Sequence, residues 1–153
     1  MLIRPAIEYA SVIWNPHHTY LINMLESIQN KAARFILSRY SRYQSVTALK
    51  TSLHLPPLVM RRKFSRLSFF HTLYHSNTPF ASSHLLPAPH TSARVDHIKK
   101  TKPIFARTER YKYSPLVLAI EEWNSLPSSI ANITGTSSFQ TALWSYFENS
   151  NVE

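Results

Sequence analysis

The clearest pattern in the chain is a stripe of apolar residues between positions 17 and 38. Its members recur every three or four residues: Leu21, Met24, Leu25, Ile28, Ala32, Phe35 and Ile36. At about 100° per residue they fill an arc of about 120°, and polar residues occupy most of the remaining circumference. The pattern predicts an amphipathic helix whose stripe faces a core.

Further helices are predicted at 2–14, after Ser45, at 57–75, at 116–123 and from Ser137. We expect the helices near 17–38 and 57–75 to pack against each other. This packing should bury six apolar side chains: Met24, Leu25, Ile28, Phe35, Phe64 and Leu67. Trp14, Trp123 and Trp144 are interpreted as core anchors.

Two stretches lack helical periodicity. Ser, Thr, His and Pro dominate residues 76–103, which predicts a loop without regular structure over 78–103. Residues 104–113 predict a short strand or an extended arm. The predicted fold is mainly α: a small helical bundle with a long basic Pro/Ser/His-rich loop and a small C-terminal helical unit. The expected domains are a helical lobe over 1–76, the loop or linker over 77–103, and an extended arm with short helices over 104–153.

The amino-acid composition argues against most classes of catalytic site. The 153 residues include no cysteine, one glycine (Gly135) and one aspartate (Asp96). Without cysteine there is no disulfide framework, thiolate zinc site or cysteine nucleophile, and one glycine excludes a Gly-rich phosphate loop. A single aspartate argues against metal catalysis by paired carboxylates. We expect no enzymatic activity, no cofactor and no metal site.

The histidines offer one spacing typical of zinc ligands. His71 and His75 are four residues apart on a predicted helix. No H-E-x-x-H motif is present, and His71 lies on the apolar side of the helix. This position favours a core histidine with satisfied hydrogen bonds.

Charge points to a polyanionic partner. The formal net charge is +9, and sixteen of the seventeen Lys/Arg lie between Glu26 and Glu121, where the only acids are Asp96 and Glu109. Such a field attracts nucleic acid or an anionic membrane surface. The strongest amphipathic helix carries few cations, which disfavours the membrane. No apolar stretch predicts a transmembrane helix, and the N-terminus does not resemble a signal peptide.

Three basic groups are candidates for phosphate contacts. They are Arg61, Arg62, Lys63 and Arg66 on the 57–75 helix, then Arg39 and Arg42 interleaved with Tyr40 and Tyr43, and finally Lys99, Lys100, Lys102, Arg107, Arg110 and Lys112. Respectively, they predict backbone contacts to a duplex, stacking with phosphate binding, and a flexible binding arm. Each also has a plain structural interpretation: a solvated turn, a loop with a packed tyrosine, or a merely soluble loop.

Several short strings occur in a distinctive order. They are Arg4-Pro5-x2-Glu8-Tyr9-Ala10-x3-Trp14, Leu25-Glu26-x2-Gln29-x2-Ala32-Ala33-Arg34-Phe35, Arg61-Arg62-x4-Leu67, Ala106-Arg107-Thr108-x2-Tyr111-Lys112-Tyr113-Ser114, Trp123-Asn124-Ser125-Leu126-Pro127 and Ser138-Phe139-x3-Leu143. Together they resemble the C-terminal (thumb and post-thumb) region of non-LTR (LINE-type, jockey-like) retrotransposon reverse transcriptases. The likeness extends over nearly the whole chain and is strongest to tick-transposon-like reading frames.

The resemblance implies a thumb-like lobe over 1–76 that grips template–primer nucleic acid while a separate palm performs RNA-directed DNA polymerisation. It also implies a cytoplasmic or nuclear location. The family's Y-x-D-D motif has no counterpart, because Asp96 lies in Val95-Asp96-His97. The chain is thus expected to be a truncated, non-catalytic copy that binds RNA or DNA without reading sequence. The alternative is a helical structural module that packs on the polymerase palm and binds no nucleic acid of its own.

Overall fold

A computed structural model describes residues 3–41, 43–76, 78–92, 94 and 96–150. Ten helices and no strand occur in these residues, which confirms a mainly α fold. They are α1 Ile3–Glu8, α2 Ser11–Trp14, α3 Thr19–Ile36, α4 Val46–Ser52, α5 Leu58–Tyr74, α6 Pro79–His84, α7 Glu109–Lys112, α8 Pro115–Asn124, α9 Ser128–Ala131 and α10 Thr136–Ser150. Within the described ranges, no helix has the length and apolar character needed to cross a membrane.

The chain forms two compact units, 1–63 and 64–153. The division falls inside α5, whereas sequence patterning placed the boundaries at 76 and 103. The reason is that the two parts of this helix bind different surroundings. Its first residue, Leu58, donates its backbone N–H to Glu26 in the first unit at 2.6 Å. Further along, the Phe70 ring lies 5.3 Å from the ring of Trp123 in the second unit.

The first unit is organised around α3, which packs on α4 and α1. Ser45 accepts a hydrogen bond from the backbone N–H of Ala48 and begins α4. Glu26 of α3 links the elements, because it also accepts a hydrogen bond from the Lys50 Nζ of α4 at 3.5 Å. Gln29 donates from Nε2 to the backbone oxygen of Pro56 at 3.1 Å. These bonds give partners to polar groups whose burial would otherwise destabilise the fold.

Helix ends in this unit use left-handed residues other than glycine. Ser38 after α3 has φ 51° and His54 after α4 has φ 50°. In each case the following residue donates its N–H back across six residues, from Arg39 to Arg34 and from Leu55 to Lys50, both at 2.9 Å. This is the Schellman arrangement, which satisfies the last carbonyl groups of a helix.

The buried face of α3 differs from the predicted stripe. Gln29, Ala32 and Ala33 are buried, whereas Met24 is 60% and Phe35 73% exposed. The buried face is therefore rotated by roughly 70° around the helix from the centre of the stripe. The expectation that six apolar side chains are buried is wrong for Met24, Ile28 and Phe35. It holds for Leu67, and Leu25 and Phe64 are half-buried. Small alanines allow close packing on the buried face of α3, whereas the larger Met24 and Phe35 are left exposed.

The second unit has its core at Trp123, which is fully buried. Its ring lies 5.3 Å from the ring of Phe70, 5.4 Å from that of Tyr74 and 5.8 Å from that of Phe139. The elements α5, α8 and α10 thus meet at one indole. Trp123 is confirmed as a core anchor. Trp14 is 39% exposed, so the same expectation is wrong for it, and Trp144 is half-buried, with the Phe64 ring edge-on at 5.2 Å.

The predicted irregular loop contains regular structure. Thr78 caps α6, and Pro87 forms an isolated antiparallel bridge with Thr101. The expectation of no regular structure over 78–103 is therefore wrong at α6. Thr101 is fully buried, and Asn124 both accepts from its N–H at 2.9 Å and donates to its carbonyl oxygen at 2.8 Å. Side-chain bonds to α8 hold the loop, and such bonds leave no hydrophobic period in the sequence.

The segment predicted as a strand or extended arm also differs. Residues 102–106 are irregular, and α7 then forms where Thr108 accepts from the backbone N–H of Tyr111 at 3.3 Å. A threonine cap followed by an acidic first turn is typical of a helix start. The sequence prediction for this segment depended on its basic residues and did not use this signal.

The rotated face of α3 has a measurable consequence. Replacing Met24 or Phe35 by Gln should change the free energy of unfolding by no more than about 0.5 kcal/mol, because both side chains are exposed. Ala33→Leu should destabilise by about 1–3 kcal/mol, because Ala33 has no exposed surface. Urea unfolding checks both. Losses of about 2–5 kcal/mol for the Met24 and Phe35 variants would show that the predicted stripe is buried after all.

Candidate nucleic-acid interface

The cationic start of α5 is structural. Arg61 Nη2 lies 2.6 Å from Glu8 Oε2, so its charge is paired within the first unit. Arg62 is 2% exposed and Arg66 is 5% exposed. The expectation that these two side chains lie on the surface is wrong, and Lys63 is half-buried. Charge alone predicts that these cations are exposed, but the burial of each side chain depends on the face of the helix that it occupies.

Arg66 forms the best-defined ion pair of the second unit. Its Nε and Nη2 donate to the two carboxylate oxygens of Glu122 at 2.8 and 2.5 Å. The pair joins α5 to α8 across 56 residues of sequence. A two-pronged guanidinium–carboxylate contact is geometrically specific, and a phosphate could bind Arg66 only by displacing Glu122.

The segment after α3 leaves its side chains in solvent. Arg39 is exposed, Tyr40 is 64% exposed and Tyr43 is 99% exposed. The interpretation as a loop with a packed tyrosine is therefore wrong. Arg42 lies outside the described residues. The stacking role of this segment stays a prediction.

Two of the three lysines that close the long loop are engaged. Lys99 donates from Nζ to the backbone oxygen of Asn132 at 3.2 Å, and Lys100 pairs with Asp96 at 2.5 Å. Both are half-buried, whereas Lys102 is exposed. The first two lysines fix the loop, and only the third projects into solvent.

The densest set of exposed cations lies on residues 102–113, which we call the basic arm. Its four cations are all exposed: Lys102, Arg107, Arg110 and Lys112. Glu109 is the only acid of the arm. Within the described part of the chain, no ion pair engages these four cations, although Lys112 Nζ lies 5.9 Å from the ring centroid of Tyr113. Their charge is available to an external anion.

The basic arm is held at both ends. At its start the backbone N–H of Lys102 donates to Leu86 at 2.7 Å, next to the buried Thr101. At its end α7 is capped by Thr108 and packs on α8. The sequence predicts a flexible arm, and this expectation is wrong at both ends of the segment. A fixed arm loses less conformational freedom on binding than a flexible one does.

A groove runs between the arm and α8. It encloses about 480 Å³ and is lined by Pro103, Ile104, Phe105, Ala106, Lys112, Val117, Ile120 and Glu121. Phe105 is 85% exposed, although it is one of the largest apolar side chains in the chain. Sequence reasoning missed Phe105. The signal available was a phenylalanine placed between Lys102 and Arg107 in a stretch without hydrophobic period.

His71 and His97 are both buried, which confirms the core position expected for His71. The expectation of satisfied hydrogen bonds holds only in part, because the buried Nδ1 of each ring has no partner among the described residues. His71 hydrogen-bonds through Nε2 to the backbone oxygen of Ile133 at 2.9 Å and stacks on Phe139 at 4.1 Å. His97 bonds in the same manner to Trp123 at 2.9 Å. Burial lowers the pKa of both imidazoles from the ordinary 6.5, and the hydrogen bonds only partly oppose this. No group of three or more potential metal ligands is found among the described residues.

The ion pair of α5 and α8 should be important for stability. Glu122→Gln leaves the guanidinium of Arg66 buried without its counter-charge and should destabilise by about 2–4 kcal/mol. This loss is smaller than for a fully buried pair, because the Glu122 side chain retains 18% exposure. Glu121→Gln, an exposed neighbour, is the matched control and should change stability by no more than about 0.5 kcal/mol. Equal effects in denaturant unfolding would contradict the structural role of the pair.

The buried histidines predict a loss of stability in mild acid. Because their folded-state pKa lies below 6.5, the unfolded chain binds more protons. Stability should be full above pH 6.5, fall as the pH drops below it, and level off below the folded-state pKa. His97→Gln, which can still donate to the Trp123 oxygen, should flatten this slope, whereas exposed His90→Gln should not. Asp96 contributes only at lower pH, because Lys100 holds its pKa below 3.8.

Comparisons of the chain with protein-family models, curated proteins and solved structures give no match. What the chain does is therefore inferred from its own residues. The feature that stands out is a fixed arm with four exposed cations beside an apolar groove.

Proposed function

We propose that this chain is a non-catalytic module that binds nucleic acid through backbone phosphates without reading sequence. The observation that carries the proposal is the basic arm. Four exposed cations lie within eleven residues, with one acid among them, on a segment anchored to the core of the second unit. Lysine and arginine on a fixed support are the usual ligands of phosphate oxygens.

The distribution of charge separates structural from available cations. Arg61, Arg66, Lys50 and Lys100 each have a carboxylate partner within 3.5 Å. A phosphate would have to compete with those partners. The cations of the arm meet no such competition from the described residues, and releasing counterions from the nucleic acid favours their binding. The main contact with phosphates is therefore expected on the arm and not at the start of α5, with exposed Arg39 as a secondary candidate.

Sequence-independent binding follows from the missing base-reading elements. The chain contains no cysteine for a classical zinc finger and no RNP motif. Phosphate contacts position a protein on nucleic acid but carry no sequence information directly. Discrimination between sequences should accordingly be small.

We also propose that the chain corresponds to the thumb and post-thumb region of a non-LTR retrotransposon reverse transcriptase. Support comes from the ordered strings that end in Trp123-Asn124-Ser125-Leu126-Pro127, and from a mainly helical fold. On this proposal, nucleic-acid binding serves a polymerase palm that this sequence does not contain. The chain by itself should then extend no primer.

A second candidate function rests on α3. Its exposed apolar side chains lie on one side of the helix: Tyr20, Met24, Ile28 and Phe35. One exposed cation, Lys31, lies among them. This surface fits a module that packs on the polymerase palm of the parent element, and on that candidate the chain needs no nucleic-acid binding of its own.

The arm predicts a specific salt dependence. The double variant Arg107→Ala, Lys112→Ala should reduce the slope of log K against log salt by about two on duplex DNA, since each phosphate contact contributes about 0.9. The control Lys31→Ala, Arg94→Ala removes two other exposed cations and lowers the net charge equally, but should leave most of the slope. Fluorescence anisotropy with duplex DNA and RNA–DNA hybrid at several salt concentrations measures both slopes.

Two outcomes would count against the proposal. Equal loss of slope in both double variants would mean that diffuse net charge, not the arm, attracts the polymer. Absence of binding at low salt, with helix content intact by circular dichroism, would leave the packing module as the surviving candidate.

A further inference from the structure

Phe105 projects into solvent at the groove, where an approaching ligand would contact it. Its side chain is 85% exposed and lines the groove between the arm and α8. Single exposed apolar residues are common on protein surfaces and need no explanation. Phe105 differs because it projects beside a concave apolar wall and between cations, with Lys102 three residues before it and Arg107 two residues after it.

The groove suits a flat, partly apolar group. Its walls are Pro103, Ile104, Ala106, Val117 and Ile120. The volume of about 480 Å³ lies within the range typical of small-molecule pockets. An aromatic ring at its rim offers a stacking surface, which any nucleobase can use because every base has a π-face.

The charges in the groove say which part of a nucleotide enters. Lys112 and Glu121 both line it. The carboxylate of Glu121 repels a phosphate, which disfavours the nucleic-acid backbone inside the groove. The surplus cations, Lys102 and Arg107, are outside the lining and exposed. The arrangement therefore puts a base in the groove and the backbone along the arm.

We propose that the basic arm binds single-stranded nucleic acid, with an unstacked base on the ring of Phe105 and phosphates on Lys102, Arg107 and Lys112. This inference rests on the proposed function and adds the form of nucleic acid that the arm prefers. Bases of a duplex are stacked on each other and cannot reach the ring, whereas a single strand presents them freely. The arm therefore binds duplex through phosphates alone and single strands through phosphates and a base.

The test uses the full chain and three fluorescent oligonucleotides of equal length: a single strand, the same strand with abasic sites, and a duplex. The abasic strand keeps every phosphate and removes the bases. The Phe105→Ala variant should bind the normal strand about five- to 150-fold more weakly, the range for one lost stacking contact. Its affinity for the abasic strand and the duplex should not change.

Two further variants separate stacking from disturbance of the fold. Phe105→Trp should restore binding of the normal strand, because indole also stacks on bases. Phe69→Ala, which removes another exposed phenylalanine of the second unit, should leave all three affinities unchanged. Circular dichroism checks that each variant keeps its helix content.

The possible failures are distinguishable. If the single strand binds, but equally with and without its bases or equally in Phe105→Ala, the inference is wrong and phosphate binding stands. If none of the three oligonucleotides binds at low salt, the proposed function itself is wrong. If the Phe105 groove instead takes an apolar peptide and no oligonucleotide, both are overturned.

Discussion

The second unit depends on the burial of the Trp123 indole and on the hydrogen bond that its N–H makes. It is buried against α5 and α10, and its Nε1 donates to the backbone oxygen of Lys99 at 2.9 Å. Its own backbone oxygen bonds to His97 in return. An indole N–H buried without an acceptor would destabilise the fold, so the loop is required to pass beside it. This position of the loop fixes the start of the basic arm, together with the bond from Lys102 to Leu86 and the bonds of Thr101 to Asn124.

The small number of acids is a second constraint on the fold. A chain with a net charge of +9 has few acids with which to neutralise buried cations. Glu8, Glu26 and Glu122 each bind a cation of a different helix, and Asp96 closes the loop with Lys100. Half of the acids therefore hold the fold together. Among the described residues, no carboxylate forms an ion pair with the exposed cations of the arm, although Glu121 lines the same groove as Lys112.

Sequence patterning located the longer helices well, missed the short α6 and α7, and gave little about which elements pack together. The spans predicted at 17–38 and 57–75 agree within two residues with α3 and α5, because hydrophobic period is a local property. Which side of α3 is buried depends on the elements that pack on it, and the hydrophobic period of α3 does not identify those elements. The pairing of Arg66 with Glu122 joins positions 56 residues apart, which a single sequence cannot indicate. At the candidate interface, the exposed cations of the arm lay within the predicted set, whereas Phe105 was missed because a lone aromatic residue has no periodicity.

The scarcity of glycine has a consequence for how this sequence can change over evolutionary time. Ala10, Ser38 and His54 adopt left-handed backbone angles that L-residues disfavour. Drift to glycine at any of them would relieve strain on the order of 0.5–1 kcal/mol net of the added chain entropy. The fold therefore has stabilising substitutions available within its first unit, at residues that belong neither to the arm nor to its groove. Such sites give the molecule mutational robustness, because they can compensate for destabilising changes elsewhere without altering the residues of the arm or its groove.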